Sequence, residues 1–243
     1  MPIDLGMEDF FGSSPKTIMS DKRVDTNYES VSYDSNRVSH YLENVLKMEA
    51  VACKDWLTNK VDRCVGGRVA KQQCCGELQL PLNNCGVMAL DYDSTHGIAT
   101  SMGHAPVSAL IDAKAGSRCA ITEALTNIIW APLENGLKSI SLSANWMWPA
   151  KNEGEDARLY DAVQAVSEFA IALGINIPTG KDSMSMKQKY PDGNVYAPGT
   201  VVISAVGHCN DITKIIEPVL KNNGGDIYYI NLSKDTYLSL IHI

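Results

Sequence analysis

Residues 155–178 read EDARLYDAVQAVSEFAIALGINIP, and this stretch decides the fold because it joins an amphipathic helix to a buried strand. Apolar side chains recur along it at the spacing of one helix face. They are Leu159, Ala162, Val163, Val166, Phe169, Ala170 and Leu173. Glu155 and Asp156 suit the first turn of a helix, and Gly174 suits its C-terminal cap. The pattern predicts a helix over 155–173 and a short strand over 175–178 that leads into a turn at Gly180-Lys-Asp182.

Outward from this unit, apolar runs and chain breaks alternate, which indicates strands and helices that interleave. Further helices are predicted over 36–58, 113–131 and 211–220, and further strands over 85–90, 137–142, 200–206 and 226–231. Residues 1–34 are expected to be irregular, and 97–111 to combine strand and loop. Interleaved elements are typical of the α/β class. We therefore expect an α/β (α+β) fold with a mixed sheet, with the helices over 113–131 and 155–173 on one face.

Composition excludes several function classes. The chain has 243 residues, of which 45% are hydrophobic and 20% charged, and its formal net charge is -7. A nucleic-acid partner is not expected, because binding a phosphate backbone rewards clustered Lys and Arg and no such cluster occurs. No apolar run approaches the ~20 residues that a membrane-spanning helix needs, so no membrane is expected either.

Seven cysteines lie mostly in apolar segments, at positions 53, 64, 74, 75, 85, 119 and 209. An odd count without a signal peptide favours reduced thiols in a cytoplasmic protein. A zinc site is not favoured, because the chain contains no Cys-x-x-Cys pair.

Glu123 and Asn127 are four residues apart in a predicted helix and therefore share one face. Their neighbours are mostly apolar, and a carboxylate in such surroundings needs a partner. A hard cation such as Mg²⁺, bound through oxygen atoms, would satisfy both side chains. A solvent-facing edge or a hydrogen-bonded pair in the core would also satisfy them, and the spacing by itself favours this second interpretation.

Three other positions have both a functional and a structural interpretation. Gly180-Lys-Asp-Ser183 follows a predicted strand, where a lysine and backbone amides can contact a phosphate, although the glycine spacing of a Walker A loop is missing. Lys54 is either a nucleotide ligand or a surface lysine. His104 in Ser101-Met-Gly-His-Ala-Pro106 is either a general base or a hydrogen-bonded loop residue. Local sequence favours the structural interpretation in each case.

Several short motifs occur in a fixed order. They are Asp62-Arg-Cys-Val-Gly-Gly67, Gln79-Leu-Pro81, Pro106-Val107, Glu123-Ala-Leu-Thr-Asn127, Ser143-Ala-Asn-Trp-Met147, Gly154-Glu-Asp-Ala-Arg-Leu-Tyr160 and Gly180-Lys-Asp-Ser-Met-Ser-Met186. Together they resemble the large, single-chain form of phosphoribosylformylglycinamidine synthase, from residue 1 to at least residue 232. The resemblance implies the N-domain of the second of two halves that are each similar to aminoimidazole ribonucleotide synthetase.

The resemblance also implies domain boundaries. Residues 1–47 are expected to form an approach linker and helix, 48–208 the N-domain, and 209–243 the truncated start of a C-domain. The ending at 238–243 is expected to reflect a truncated reading frame, with a few residues that are not native to the family. The face of the sheet opposite the two helices is expected to be exposed and unusually apolar, because in the family it pairs with the sheet of the other half.

The implied parent enzyme is an ATP- and glutamine-dependent ligase. It converts formylglycinamide ribonucleotide to formylglycinamidine ribonucleotide in purine biosynthesis, and we expect it in the cytoplasm. Two parts of the parent enzyme are expected to be missing from this chain. They are its first half, which contains the reacting site, and its glutaminase domain. We therefore assign no catalytic residue and expect the segment to be inactive by itself. The alternative is a stand-alone nucleotide-binding module or a related ATP-dependent synthetase, kinase or selenophosphate synthetase.

For this segment the resemblance implies a structural site for Mg²⁺ and ATP or ADP. The metal ligands implied are Asn84, Glu123 and Asn127, and the nucleotide contacts implied are Lys54, Asn83, Lys181, Asp182 and Ser183. Asn84 stands where many family members have an aspartate. The site is expected to bind the ion more weakly for that reason, because it has one negative charge fewer.

Overall fold

A computed structural model describes residues 3–12, 18–19, 22–25, 29, 32–49, 51–53, 67–222 and 224–230. Its strands are β1 (Val69–Lys71), β2 (Cys85–Ala89), β3 (Gly97–His104), β4 (Ile140–Met147), β5 (Asn176–Ser183), β6 (Lys187–Tyr190), β7 (Gly193–Tyr196) and β8 (Thr200–Cys209). Its α-helices are α1 (Met7–Phe11), α2 (Val38–Lys47), α3 (Pro106–Ile111), α4 (Ala113–Ile128) and α5 (Glu155–Leu173). Short 3₁₀ helices lie at Ser35–Arg37, Gly136–Ser139 and Ile212–Lys214.

Six strands form one mixed sheet in the order β1-β2-β3-β8-β4-β5, and β6 pairs with β7 in a separate hairpin. All neighbours in the large sheet are antiparallel except β4 and β5, which are parallel. The strands β3, β4 and β5 consequently run in one direction, and their carboxyl ends meet at one edge of the sheet, which we call the carboxyl edge. The predicted α/β class is confirmed. The prediction that the strands near 85–90, 137–142 and 200–206 lie in one sheet is also confirmed.

The core lies between the sheet and two helices. The helix α4 packs against β3 and β8, and α5 packs against α4. Ile121 and Ile128 of α4 are fully buried against the sheet together with Leu142 and Ile203. Val166 of α5 belongs to the same cluster. Both helices therefore cover one face, as the sequence predicts, and the predicted cap of α5 is correct, since Gly174 has a φ of 68°.

Glycine allows α4 to approach β3 closely. A Cβ atom built on Gly103 would lie 2.1 Å from the carbonyl oxygen of Ala120 and 2.4 Å from the backbone nitrogen of Ala124. Both are backbone atoms, which cannot rotate away as a flexible side chain can. The distance between this helix and this strand therefore depends on the absence of a side chain at residue 103.

The opposite face of the sheet, which we call the open face, is exposed but mixed in polarity. Side chains alternate along a strand, so this face carries every second residue of β2, β3, β8, β4 and β5. Met88, Met102 and Val206 are exposed on it. Polar side chains lie among them in register, namely Thr100, Ser141, Ser143, Asn145, Thr179 and Ser204. The prediction of an exposed face is confirmed, and the prediction that it is unusually apolar is wrong.

Some predicted elements differ in extent. Residues 97–111 divide into β3 and α3, because Pro106 can occupy the first turn of a helix. The strand expected over 137–142 begins at Ile140, after a 3₁₀ helix, and continues to Met147. The turn expected at 180–182 is part of β5, because β4 supplies a parallel partner for each of these residues.

The elements predicted toward both ends of the chain also differ from those in the structure. The helix expected over 36–58 ends at Lys47, and positions 54–58 lie outside the described residues. The helix expected over 211–220 is reduced to the 3₁₀ helix at Ile212–Lys214, and Pro218 disfavours a helix across the residues before it. Residues 226–230 form no strand. No helix within the described ranges combines the length and the apolar character needed to cross a membrane.

Replacing Gly103 by alanine tests the close approach of α4 to β3. We expect Gly103→Ala to lower the free energy of unfolding by about 1–3 kcal/mol or more, because the new methyl group overlaps backbone atoms that can move only together. Urea denaturation followed by circular dichroism measures the change. Gly225→Ala is the control, since a Cβ there meets nothing within 4 Å. Equal stability of the two variants would show that the helix is free to shift.

Candidate cation and nucleotide site

The site begins where β3 extends beyond its neighbour β2. The two strands pair from Ala89 opposite Gly97 to Cys85 opposite Ser101, so the last three residues of β3 have no partner in β2. Backbone groups on this side of β3 therefore need other hydrogen-bond partners. Two side chains of α4 provide them at the carboxyl edge.

Glu123 and Asn127 complete the unpaired end of β3. The Oε2 atom of Glu123 accepts a hydrogen bond from the backbone N–H of His104 at 2.7 Å. The Nδ2 atom of Asn127 donates to the carbonyl oxygen of Met102 at 3.1 Å. At the preceding residue of β3, the buried Ser101 hydroxyl donates to the carbonyl oxygen of Ala124 at 2.6 Å. Glu123 and Asn127 therefore bond to the backbone of β3 and not to each other, and Glu123 lies at an exposed edge and not in the core.

Within the part of the chain that the structure describes, these hydrogen bonds leave one oxygen on each side chain available. For Glu123 it is Oε1, and for Asn127 it is the amide oxygen, because Nδ2 makes the bond to β3. The Glu123 side chain is 45% exposed, so a ligand can reach it. In known metal sites, residues that hydrogen-bond to a metal ligand fix the orientation of its side chain, and the bonds to β3 can orient Glu123 and Asn127 in the same way.

Asn84 borders the same space as Glu123 and Asn127. All three line an open cleft of about 840 Å³ that runs from the end of β3 across the open face. Asn84 is exposed and directly precedes β2. The structure therefore brings the three predicted metal ligands to one cleft.

The donor set suits a hard cation. One carboxylate and two amide oxygens are ligands of the kind that Mg²⁺ accepts, usually together with several waters. Among the described residues, no group of three or more His, Cys, Asp and Glu side chains is placed to hold a metal ion. A cation here depends on a single carboxylate, which agrees with the weak binding expected from Asn84.

Comparison with known proteins identifies the family. Residues 53–208 match the family described as FGAR-AT PurM_N-like domain. The chain is 43% identical over 235 residues to phosphoribosylformylglycinamidine synthase of Homo sapiens, which covers 96% of this chain and 18% of that protein. It is 42% identical over 236 residues to the probable chloroplastic/mitochondrial phosphoribosylformylglycinamidine synthase of Arabidopsis thaliana, with 96% and 17% covered. The chain belongs to the FGAR-AT PurM_N-like domain family.

This member of the FGAR-AT PurM_N-like family spans less than a fifth of the length of those relatives. Among solved structures, PurLQS from Thermotoga maritima aligns with a TM-score of 0.53 at 15% identity, over 84% of this chain and 29% of that one. T. maritima PurL complexed with ADP aligns with a TM-score of 0.52 at 17% identity, over 81% and 29%. At these identities the likeness shows a shared fold.

The residues predicted to contact nucleotide are not all in the cleft. Lys181, Asp182 and Ser183 lie in β5 at the carboxyl edge, and the cleft reaches β5 at Thr179. Because side chains alternate along a strand, Lys181 and Ser183 share the open face and Asp182 points to the other face. The Nζ atom of Lys181 donates to the hydroxyl oxygen of Ser183 at 2.9 Å.

Register places Lys181 in a row with the end of β3. His104 pairs with Val202, Val202 with Asn145, and Asn145 with Lys181. Three strand spacings of about 4.8 Å separate the two ends of this row by roughly 14 Å. Lys181 and His104 therefore lie on the open face at the carboxyl edge, and Glu123 reaches the same edge from α4, which covers the other face.

Asn83 has a structural role in this family member. Its side chain is buried, and Nδ2 donates to the carbonyl oxygens of Gln72 at 2.8 Å and Cys85 at 2.6 Å. Its Oδ1 accepts from the backbone N–H of Cys85 at 3.2 Å. Asn83 thus holds the loop that presents Asn84, and its contact with a nucleotide stays a prediction. Lys54 and most of the motif at 62–67 lie outside the described residues.

The cysteines in the described part of the chain are free thiols. Burial raises the pKa of the Cys85 thiol to about 11. This thiol stays protonated near neutral pH and is a poor nucleophile.

Sequence reasoning missed an ion pair that bounds the site. Lys71 in β1 pairs with Glu217, and the Lys71 side chain is only 9% exposed. Burial lowers the pKa of Lys71. Glu217 also lines a pocket of about 200 Å³ whose other walls include Asn84 and Asn127. The two residues are far apart in sequence, and no local pattern could have joined them.

Truncating Glu123 tests its role in completing β3. We expect Glu123→Ala to lower the free energy of unfolding by about 1 kcal/mol, at the low end for an unpaired backbone group because the site is half exposed. Glu123→Gln should cost less, since its amide oxygen still accepts from His104. Urea denaturation without added metal compares the two variants. Equal losses would contradict the hydrogen-bonding role.

Proposed function

We propose that this domain holds a structural Mg²⁺–nucleotide, ADP or ATP, at the carboxyl edge of its sheet. The observation that carries the proposal is the arrangement of Glu123 and Asn127, whose hydrogen bonds to β3 leave one oxygen each beside Asn84 in the same cleft. These oxygens would hold the ion. A bound Mg²⁺ would supply positive charge to the phosphate groups of the nucleotide.

The row of paired residues from His104 to Lys181 indicates how the nucleotide could lie along the carboxyl edge. Phosphates on the ion would lie at the end of β3, and Lys181 offers a positive charge at the same edge of the open face. Small hydroxyl side chains, including Ser143 and Ser204, line the cleft between these points. They can donate hydrogen bonds to phosphate or ribose oxygens. One fold neighbour is described as complexed with ADP, a ligand of the proposed class.

We propose further that the nucleotide is stored and does not turn over in this domain. Transfer of a phosphoryl group develops charge that catalytic sites balance with several cationic groups or metal ions. Here one carboxylate anchors the ion, and the backbone of Lys181 lies three strands, roughly 14 Å, from that of His104. Such a site fits a ligand that stabilises the fold.

The whole protein is proposed to be the ligase that its relatives are named for, phosphoribosylformylglycinamidine synthase. Its reaction would use ATP, glutamine and formylglycinamide ribonucleotide, and we propose the cytoplasm as its compartment. The reacting site and the glutaminase would be supplied by parts of the protein other than these residues. This segment then contributes binding and stability to the enzyme.

Thermal unfolding with and without Mg²⁺ and ADP tests the nucleotide site. A ligand that binds only the folded state stabilises it by RT ln(1 + [L]/Kd), about 4 kcal/mol at a thousandfold excess over Kd. We expect Mg²⁺ and ADP together to raise the melting temperature of the full chain, and Glu123→Gln to abolish most of this rise. Glu168→Gln is the matched control, because it removes a carboxylate on α5 that accepts a hydrogen bond from Gln164 and does not line the cleft. A rise that persists in Glu123→Gln would place the nucleotide elsewhere.

A coupled assay for ADP release tests storage against turnover. With formylglycinamide ribonucleotide, ATP and ammonium, we expect no release by the 243-residue chain, because we propose that the reacting site lies in another part of the protein. Substrate-dependent release that disappears in Glu123→Ala would show that the domain is catalytic.

A further inference from the structure

The ion pair of Lys71 with Glu217 joins two parts of the molecule that each carry a proposed cation ligand. Lys71 is the last residue of β1, and Glu217 follows the 3₁₀ helix at Ile212–Lys214. The Lys71 side chain is 9% exposed, whereas that of Glu217 is 43% exposed. A lysine with so little access to water needs a partner for its charge, so the pair ties the two segments together.

The residues directly after Lys71 hold the loop that presents Asn84. The backbone N–H of Asn83 donates to the carbonyl oxygen of Gln73 at 3.0 Å, and its Nδ2 atom donates to that of Gln72 at 2.8 Å. Asn84 is the next residue of the chain. The strand β1 has three residues and lies at the edge of the sheet, where its register with β2 is irregular. The position of the Asn84 loop therefore depends on how firmly this short edge strand is held.

Glu217 is anchored to the end of α4. The backbone N–H of the preceding residue, Ile216, donates to the carbonyl oxygen of Trp130 at 3.0 Å, just beyond the last residue of α4. Ile215 packs against the core between the sheet and the helices. Asn127 lies in the last turn of α4. The backbone at Glu217 is therefore held close to the part of α4 that carries Asn127.

Asn84, Asn127 and Glu217 line one pocket of about 200 Å³, whose walls are the loop at 82–84, the end of α4 and residues 216–218. We propose that Lys71 and Glu217 are a positioning pair, which holds the Asn84 loop at the distance from Asn127 that a shared cation requires. The proposal rests on the cation site proposed above and concerns what keeps its ligands in place. Neither side chain of the pair needs to touch the ion.

Lys71→Met separates positioning from a direct effect of charge. Methionine is flexible and apolar, and the Glu217 carboxylate that remains is exposed enough to be solvated, so the variant is expected to fold. By charge alone, removing a lysine would strengthen the binding of a cation, because like charges repel. Loss of positioning weakens it, because Asn84 is no longer held beside Asn127.

Titration of the full chain with Mg²⁺ alone, followed through backbone amide chemical shifts, measures the affinity. We expect Lys71→Met to weaken Mg²⁺ binding about tenfold, at the lower end of the loss known for residues that hold a metal ligand in place. In an Asn84→Ala background the same substitution should have no further effect, because the ligand that the pair positions is absent. Without metal, the amide proton of Asn83 should exchange with solvent faster in Lys71→Met, since the strand that accepts its hydrogen bond is held less firmly.

Lys214→Met is the matched control. It removes the same charge from the segment that leads to Glu217, where Lys214 pairs with Asp211 at 3.1 Å. Lys214 lines neither the cleft nor the pocket. This variant should keep the wild-type affinity for Mg²⁺ and the wild-type exchange rate at Asn83.

The outcomes distinguish this proposal from the cation site on which it rests. If Glu123→Gln weakens Mg²⁺ binding but Lys71→Met binds as tightly as the wild type or more tightly, the positioning role is wrong and the cation site remains. An equal loss with and without the Asn84 side chain, or unchanged exchange at Asn83, would also overturn the positioning role. If the wild type binds no Mg²⁺, or binds it as Glu123→Gln does, the cation site itself is wrong and the positioning role falls with it.

Discussion

The unpaired end of β3 is the constraint on which the rest of the site depends. Because β2 begins opposite Ser101, the backbone of residues 102–104 needs partners that no strand among the described residues supplies on that side. The helix α4 supplies them with Glu123 and Asn127, and it reaches them because Gly103 has no side chain. Fold and site are thus built from the same contacts. The hydrogen bonds that close the sheet also decide which oxygen atoms face the cleft.

Local patterns were sufficient wherever one element determines its own structure. The helix α5 follows from its apolar spacing, and its end follows from Gly174, whose positive φ suits glycine. The face shared by Glu123 and Asn127 follows from a spacing of four residues. These inferences depend on contacts within a few residues of each other, and the sequence displays such contacts directly.

The parts of the fold and of the site that local patterns did not predict depend on partners that are distant in sequence. Residues 180–182 resemble a turn locally, but β4 draws them into a parallel ladder, which places Lys181 and Asp182 on opposite faces. Asn83 resembles a ligand beside Asn84, yet its side chain is used by the backbone of Gln72 and Cys85. The ion pair of Lys71 with Glu217 and the extent of β3 beyond β2 likewise follow from the tertiary arrangement. Spacing along the chain carries no information about them.

The mixed polarity of the open face has a consequence for how the sheet meets its surroundings. A surface of leucine and isoleucine would be driven to exclude water, whereas rows such as Met102, Ser204, Ser143 and Thr179 remain wettable. Antiparallel sheets commonly tolerate water on such a side. A second protein layer on this face would therefore be selected by matching hydrogen bonds and shape, since rows of small hydroxyl side chains gain little from excluding water.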